Sequence, residues 1–581
     1  MAGLSYVGEA TVEAMRRDRP DLQGTCWNVT WGKVVGEVLQ TPPKNFLVKD
    51  SIGNHTHSDF LPKRMYDIIV RAERWVDITS LSTPTGKFVD YFSKALKKLH
   101  DTGRPVTIRI LFGNIIANPT NVHEVLQQLK SELPEDTALK IWVGSSRVGV
   151  TVETTWNHSK IIAVDGQYLL QGGHNLWDKH YLQKDPMHDV SVELEGPVAR
   201  DGHIFANWMW HFFSSIDGVL FEDGVIFDGR LPVKTFVDGD PTRVQLSRFP
   251  DSIAREAPQY EAKCSFNPQP AVGAAKIISL GRYGKLQINS APTNPSDAGI
   301  EAMLASACKS IRIAQQDIGP LAVPVSFVTV PFPGGVWPTK YLQAIGGALC
   351  RGVDVHIVVS NPYSVPGGAK MAQYGNGWTC VDVGGMLVKV AMESNPEVSV
   401  EKMSQLVRSH LQISYIRSNS TSKDWPSGEH VGNHSKVIIV DEIAYYIGSQ
   451  NLYIANLAEW GLILDDEVQT AQFMEHYWKP MWKQTRPAED CPADAVMARA
   501  SSDWPQYDPS SLEARTLTAT AKMKDFIFDA VTVDSEEAEA FFANLGLDVD
   551  VKGILASIAE GQDDKKNKPG PVQCSQCCAV Q

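Results

Sequence analysis

The sequence predicts an α/β protein built from two similar lobes. Short apolar runs alternate with amphipathic stretches, a five-position polar motif occurs once in each half, and similar segments close the two copies. With 581 residues there is material for two large cores and a tail.

The elements follow in order. RWVDITSL (Arg74 to Leu81) reads as a buried strand, VDYFSKALKKLHDTG as a helix and VTIRILFG as the next strand. In the second half SIRIAQQDI (Ser310 to Ile318), KYLQAIGGALCRG and VDVHIVVSNP repeat that order. Each motif then opens on a further strand, HSKIIAVD or HSKVIIVD, whose period of two carries His and Lys to one face. The copies close on HDVSVELEGPVARDGHIFANWMW and EWGLILDDEVQTAQFMEHYWKPMW, the first a strand followed by a helix with aromatic residues on its inner face.

Two extra loops are expected in the second copy, around Val323 to Pro338 and Tyr363 to Ser409. The expected organisation is a first lobe over 1–245, a polar connection over 246–285, a second lobe over 286–490 and a tail over 491–581. Short amphipathic helices are expected near 519–530 and 536–543, and the polar stretch EGQDDKKNKPGPVQ is expected to be disordered.

The motif reads His158, Lys160, Asp165, Gly172 and Asn175 in the first half, and His434, Lys436, Asp441, Gly448 and Asn451 in the second. One such match arises by chance in on the order of one chain in ten thousand of this length. Two copies at identical spacing mark a duplicated unit. A lone His-Ser-Lys strand would read as a core histidine beside a satisfied lysine; the second copy makes that reading untenable.

The residue types suit a phosphodiester. Its oxygens need fixed positive charge and hydrogen-bond donors, its phosphorus a nucleophile, and its leaving oxygen a proton. Lys160 and Lys436 supply charge, and Asn175 and Asn451 supply donors. One neutral histidine can attack phosphorus while the other, protonated, delivers the proton, so the pair titrates as a unit. No metal or cofactor is required. Asp165 and Asp441 stand seven residues after the histidines, on the opposite strand face, and read as structural or turn groups. Asp189 and Glu459, at the start of the strands closing their own repeats, are the better orienting partners for the imidazoles.

These residues resemble the phospholipase D superfamily, whose hallmark is the duplicated HxK(x)4D(x)6GSxN motif. The similarity is strongest to the branch typified by secreted streptomycete enzymes. It rests on LQGTCWNVTWG, VDITSLSTPTGKF, WNHSKIIAVDGQYLLQGGHNLW, IAQQDI and YYIGSQNLY, and on the dipeptides Gly172-Gly173 and Gly448-Ser449. The resemblance implies two α/β sandwich lobes about a pseudo-twofold axis with one site between them. It implies His158 as nucleophile and His434 as acid/base. Gly173-His174 replaces Ser-x in the first copy, and Glu459 stands where an aspartate is usual.

Composition narrows the substrate. The hydrophobic fraction is 43% and the charged fraction 21%, as in soluble globular proteins. A net charge of −13 opposes broad capture of nucleic acid. The N-terminal residues lack the apolar core of a secretory signal, and the uncharged run Ile318 to Pro338 is broken by five prolines. Cys26, Cys264, Cys308, Cys350, Cys380 and Cys491 show no metal-ligand spacing and read as thiols in a reducing compartment. Acceptor sequons at Asn157 and Asn433 adjoin the histidines, where a glycan would block the site.

The ending Cys578-Ala579-Val580-Gln581 fits a prenylation box, with Cys574 and Cys577 as palmitoylation sites and Lys565, Lys566 and Lys568 as a basic cluster. A tether of about twenty residues spans on the order of 25 Å. The expectation is a monomeric cytoplasmic phospholipase D, held peripherally on the membrane by its lipid anchor. It would act on phospholipid with water or an alcohol as acceptor and would not bind nucleic acid. Phe327, Phe332 and Trp337 are expected either to dock on the bilayer or to pack between lobes. A nuclease with the same site, or an inactive membrane scaffold, are the alternatives.

Overall fold

The computed structural model describes residues 3–42, 59–113, 120, 122–148, 155–182, 185–214, 220–222, 225–227, 273–284, 293–320, 322–325, 328–331, 336–362, 364, 378–453 and 455–504. Strands form where β-branched and apolar residues run together. In the first repeat they are β1 (Trp27–Val34), β2 (Leu39–Thr41), β3 (Trp75–Ser80), β4 (Thr107–Gly113), β5 (Lys140–Val148), β6 (Ile161–Val164), β7 (Tyr168–Gly172) and β8 (Asp189–Glu195). In the second they are β9 (Ala275–Arg282), β10 (Ser310–Gln315), β11 (Asp354–Val359), β12 (Leu411–Tyr415), β13 (Lys436–Val440), β14 (Ala444–Gly448) and β15 (Glu459–Asp465).

Hydrogen bonding orders the first sheet β2-β8-β7-β6-β3-β4-β5. The second runs β9-β15-β14-β13-β10-β11-β12. Over these seven strands the two orders match, with the last three of each parallel; the first sheet continues beyond β5 through Val225–Phe227 to Leu220–Glu222. β1 stitches the sheets together, pairing Trp27 to Gly32 with β9 and Lys33 to Val34 with β8.

The strands are buried on both faces, which is why they read as continuous apolar runs. Along β6, Ile162 and Val164 face a core closed by helices α1 (Phe60–Ile69), α2 (Lys87–Asp101) and α3 (Val122–Lys130). Ile161 and Ala163 face the other way, into a core that also takes Phe205, Met209 and Trp210 from α4 (Val198–Ser214) and Ile277, Ile313 and Val437 from the second repeat. One apolar core therefore runs through both lobes. That continuity fixes the geometry between the two motifs.

Four expectations need correction. The stretch 246–285 contains β9, which pairs with β15 from Lys276 to Arg282; its short run Ile277-Ile278-Ser279-Leu280 is flanked by charge and is hidden in a polar average. The region 363–409 is not a loop throughout, because it holds α5 (Cys380–Ser394) and α6 (Val400–His410), each capped by a Ser or Thr side chain at its N-terminus. Residues 322–331 include a hairpin, Ala322–Val325 with Val328–Pro331. The tail begins later than 491: α7 (Ala493–Ala500) lies on α5, with Val496 buried and Arg499 paired to Asp382 at 2.7 Å.

Trp337 packs beside Trp378 and Trp504, within the second lobe. Phe327, Phe332, the segments 519–530 and 536–543, the three lysines and Cys574, Cys577 and Cys578 lie outside the described residues. No helix among the described residues is long and apolar enough to cross a membrane.

Candidate active site

Both histidines sit just ahead of their strands, which begin at Ile161 and Lys436. Neither histidine is itself in a ladder, contrary to the strand expected from the sequence. The reason is that each gives its backbone N–H to the other repeat. His158 donates to the Ala458 carbonyl at 2.8 Å, and His434 to the His188 carbonyl at 2.7 Å. These acceptors immediately precede Glu459 and Asp189, so each histidine is delivered to the carboxylate that closes the opposite repeat.

The side chains complete the exchange. His158 Nδ1 donates to Glu459 Oε1 at 2.8 Å, and His434 Nδ1 donates to Asp189 Oδ2 at 2.7 Å. Both contacts are buried. The carboxylates on Nδ1 fix the orientation of both rings. The rings lie near enough for His158 to disfavour charge on His434.

Lys160 Nζ donates to the His158 carbonyl at 2.8 Å, and Lys436 Nζ to that of His434. Lys436 has no exposed surface, which is rare for an ammonium group. Burial, then mutual repulsion for Lys160, lowers the lysines: Lys160 well below its ordinary range and Lys436 to about 8. Burial followed by the two lysines drives both histidines well below theirs. Burial also pushes Asp189 and Glu459 up to about 7. Four groups able to carry positive charge thus meet the two orienting carboxylates, with Asp317 beside Lys436. An anionic ligand between them would offset, by direct attraction, the burial that suppresses their charge.

The Asn175 amide is fully buried, and neither its oxygen nor its nitrogen has a hydrogen-bond partner. Asn451 donates to the Tyr453 hydroxyl at 2.7 Å, but its oxygen is unpartnered. Unmet buried groups cost about 1–3 kcal/mol each, and here they stand beside the imidazoles.

The remaining motif residues build the frame. Asp165 and Asp441 adopt positive φ (52° and 54°) in the turns after β6 and β13. The Asp165 carboxylate accepts from the backbone of Glu73, Arg74 and Trp75, and Asp441 from Cys308, Lys309 and Ser310. Each pins its motif strand to the start of the neighbouring central strand, at the far end from the histidines. Gly173 is required because a Cβ there would lie 2.0 Å from Asp189 Oδ1. At Gly172 and Gly448 the obstacles are Ser191 and the Tyr446 hydroxyl. Ser449 bonds the backbone of Trp460, through its own N–H at 3.1 Å. Asn157 and Asn433 are fully buried with their amides on backbone carbonyls, so the folded chain offers no glycan acceptor there.

Several site residues escaped the sequence reading. The Tyr181 hydroxyl donates to Asp189 at 2.8 Å and accepts from Asn175 N–H at 3.0 Å. Arg282 approaches Glu459 at 3.4 Å, and Gln316 lies 3.4 Å from Lys436 Nζ. A signal existed for Tyr453, which holds Asn451: both motif asparagines are followed two residues later by an aromatic, Trp177 or Tyr453, whereas Tyr181 had none.

The chain is similar to the phospholipase D of Streptomyces antibioticus, with 25% identity over 528 residues that cover 85% of this chain and 90% of the relative. That similarity agrees with the duplicated motif. The chain resembles the phospholipase D superfamily. No family model matches it. Among solved structures it is similar to the phosphatidylserine synthase of Haemophilus influenzae Rd KW20, at 14% identity and a TM-score of 0.45 over 90% of this chain and 100% of that one. It is also similar to Nuc of Salmonella typhimurium, a phospholipase D family member, at 20% identity and a TM-score of 0.18 over 32% of this chain and 86% of that one. Within the superfamily pattern, this chain's Glu459 is accommodated by direct contact with His158, as Asp189 is with His434.

Proposed function

We propose that this protein cleaves the distal phosphodiester of glycerophospholipids, leaving phosphatidic acid and the free headgroup. The observation that carries the reading is the pair of crossed histidine–carboxylate contacts beside the unpartnered Asn175 amide. Together they suit a single tetrahedral anion with one nucleophile and one acid.

His158 Nε2 attacks phosphorus while the bond to the headgroup oxygen breaks and His434 donates its proton to that oxygen. Lys160, Lys436 and the asparagine amides hold the non-bridging oxygens as charge builds. His434, now neutral, takes a proton from water; the water oxygen bonds to phosphorus and His158 is released. An alcohol in place of water exchanges the headgroup. The streptomycete relative is named a phospholipase D, which supports the lipid over a nucleic acid, as does the net charge of −13.

The test incubates purified protein with a phospholipid panel and, separately, with single-stranded DNA. Headgroup release with intact DNA, and phosphatidylethanol formed in the presence of ethanol, are expected. Cleaved DNA with untouched lipid would overturn the assignment. His158→Ala and His434→Ala should each lower turnover by at least about a thousandfold. Peripheral attachment through Cys574, Cys577 and Cys578 belongs to the same proposal, since the substrate lies in a bilayer. Metabolic labelling with isoprenoid and palmitate analogues tests it.

A further inference from the structure

The two halves of the site are not equivalent, and the difference lies in the strand beside each orienting carboxylate. β9 places Arg282 directly across the ladder from Glu459, while β2 places Thr41 across from Asp189. Arg282 Nη1 approaches Glu459 Oε2 at 3.4 Å and donates to the Ala455 carbonyl at 2.7 Å; Nη2 donates to Asp297 at 2.6 Å. Asp297 is held in turn by the Tyr341 hydroxyl and the Gln450 amide, each at 2.8 Å. Among the described residues the first repeat sets no charged side chain across the ladder from Asp189, while His180 and the two lysines act on His434. Thr41 Oγ1 meets His174 Nε2 at 2.8 Å, and Asp189 is completed by the Tyr181 hydroxyl and the Val190 N–H.

We propose that Arg282 is a positioning residue that makes the two histidines unequal, favouring neutral His158 as nucleophile and leaving His434 as the acid. An imidazole gains a proton more readily beside a full carboxylate charge. The guanidinium draws on the Glu459 charge, so His158 feels less of it than His434 feels of Asp189. Asp297 moderates Arg282 from its other side. The motif alone is symmetric and cannot divide the roles, yet the reaction needs opposite protonation states.

The other charged or titratable groups around His158 are Lys160, Lys436 and His434, with Asp189 facing the lysines. Tyr341, Tyr446 and Tyr453 border Glu459, and Asp317 borders Lys436. Most of these act on both imidazoles or on the lysines, and His180 acts on His434 alone. Arg282 and Asp297 act through Glu459 alone.

This inference rests on the proposed phosphodiesterase reading, so its decisive readout does not use catalysis. The full-length protein is labelled in histidine, His158 and His434 are assigned by substitution, and both rings are titrated by NMR. Arg282→Gln should raise the His158 midpoint by on the order of half to one pH unit, and Asp297→Asn should lower it. The His434 midpoint should move far less in either variant, and Arg282→Lys should keep His158 near the wild-type value. With phospholipid as substrate, the acid limb of kcat/KM should follow the same signs. Equal movement of both histidines, no movement, or the same direction in both variants would overturn the proposal. Absence of phospholipid cleavage with the NMR signs intact would overturn only the substrate reading.

Discussion

A single missing methyl group shows how closely this site is built. The Gly173 Cα abuts the Asp189 carboxylate, whereas Ser449, its counterpart, has room for a hydroxyl on the Trp460 backbone. Gly173→Ala should push Asp189 off His434 and cut turnover by about a hundredfold with little change in far-UV circular dichroism; unchanged turnover would show that Asp189 does not orient the ring. Lys436 makes a second residue-scale prediction. Lowered to about 8 by burial, it should lose its charge above that pH and weaken its hold on the phosphate. The alkaline limb of kcat/KM should accordingly fall near pH 8, and a flat profile to pH 10 would contradict it. Single residues of this kind were mostly legible. His158, Lys160, Asn175 and their partners announce themselves by spacing, and Asp189 and Glu459 by opening a closing strand. Arg282 did not, because nothing in its local sequence distinguishes it from a surface arginine.

At the scale of elements, the decisive event is the exchange of β8 and β15. Each is hydrogen-bonded within its own sheet but directs its first carboxylate to the other repeat's histidine. The expected consequence is a division of labour that leaving-group chemistry can expose. Asp189→Asn should lower phosphoenzyme formation from a choline ester about a hundredfold but spare a p-nitrophenyl ester, whose leaving group needs no proton. Glu459→Gln should slow both, since under the proposed mechanism His158 attacks in either case. Rapid-quench measurement of the phosphohistidine checks this, and equal losses in both variants would refute it. Alternation of strands and helices foretold these elements, yet β9 and the helices α5 and α6 were misjudged. Polar ends and a long insertion masked them, and burial against neighbours gave them their structure.

Across the whole molecule, one apolar core joins the two repeats, so stability and site geometry are coupled. Burial holds His188 at about 3, with its Nδ1 on the Thr41 carbonyl and its Nε2 receiving the Tyr477 hydroxyl, both at 3.0 Å. Its folded pKa is below its unfolded one, so the unfolded chain binds the extra proton. The stability this neutral ring contributes is complete above pH 6.5 and is lost as the pH falls toward about 3. Urea unfolding across that window should give a falling curve that His188→Gln flattens. At the periphery, Val496→Asp should lift α7 from α5 and cost at least about 2 kcal/mol, read as a lower urea midpoint with unaltered kcat if α7 only covers the lobe.

Local periodicity and fixed spacing were enough to foretell a duplicated α/β chain, to single out eight polar groups and to suggest a phosphodiester chemistry, because each depends on residues close together in the chain. The pairing of each imidazole with the far repeat's carboxylate, the placement of Arg282 against Glu459 and the merging of two cores were decided only on folding. Those contacts join residues 245 or more positions apart for the histidine pairs and 177 for Arg282. Their partners are chosen by shared burial between sheets, a property no single stretch of sequence possesses.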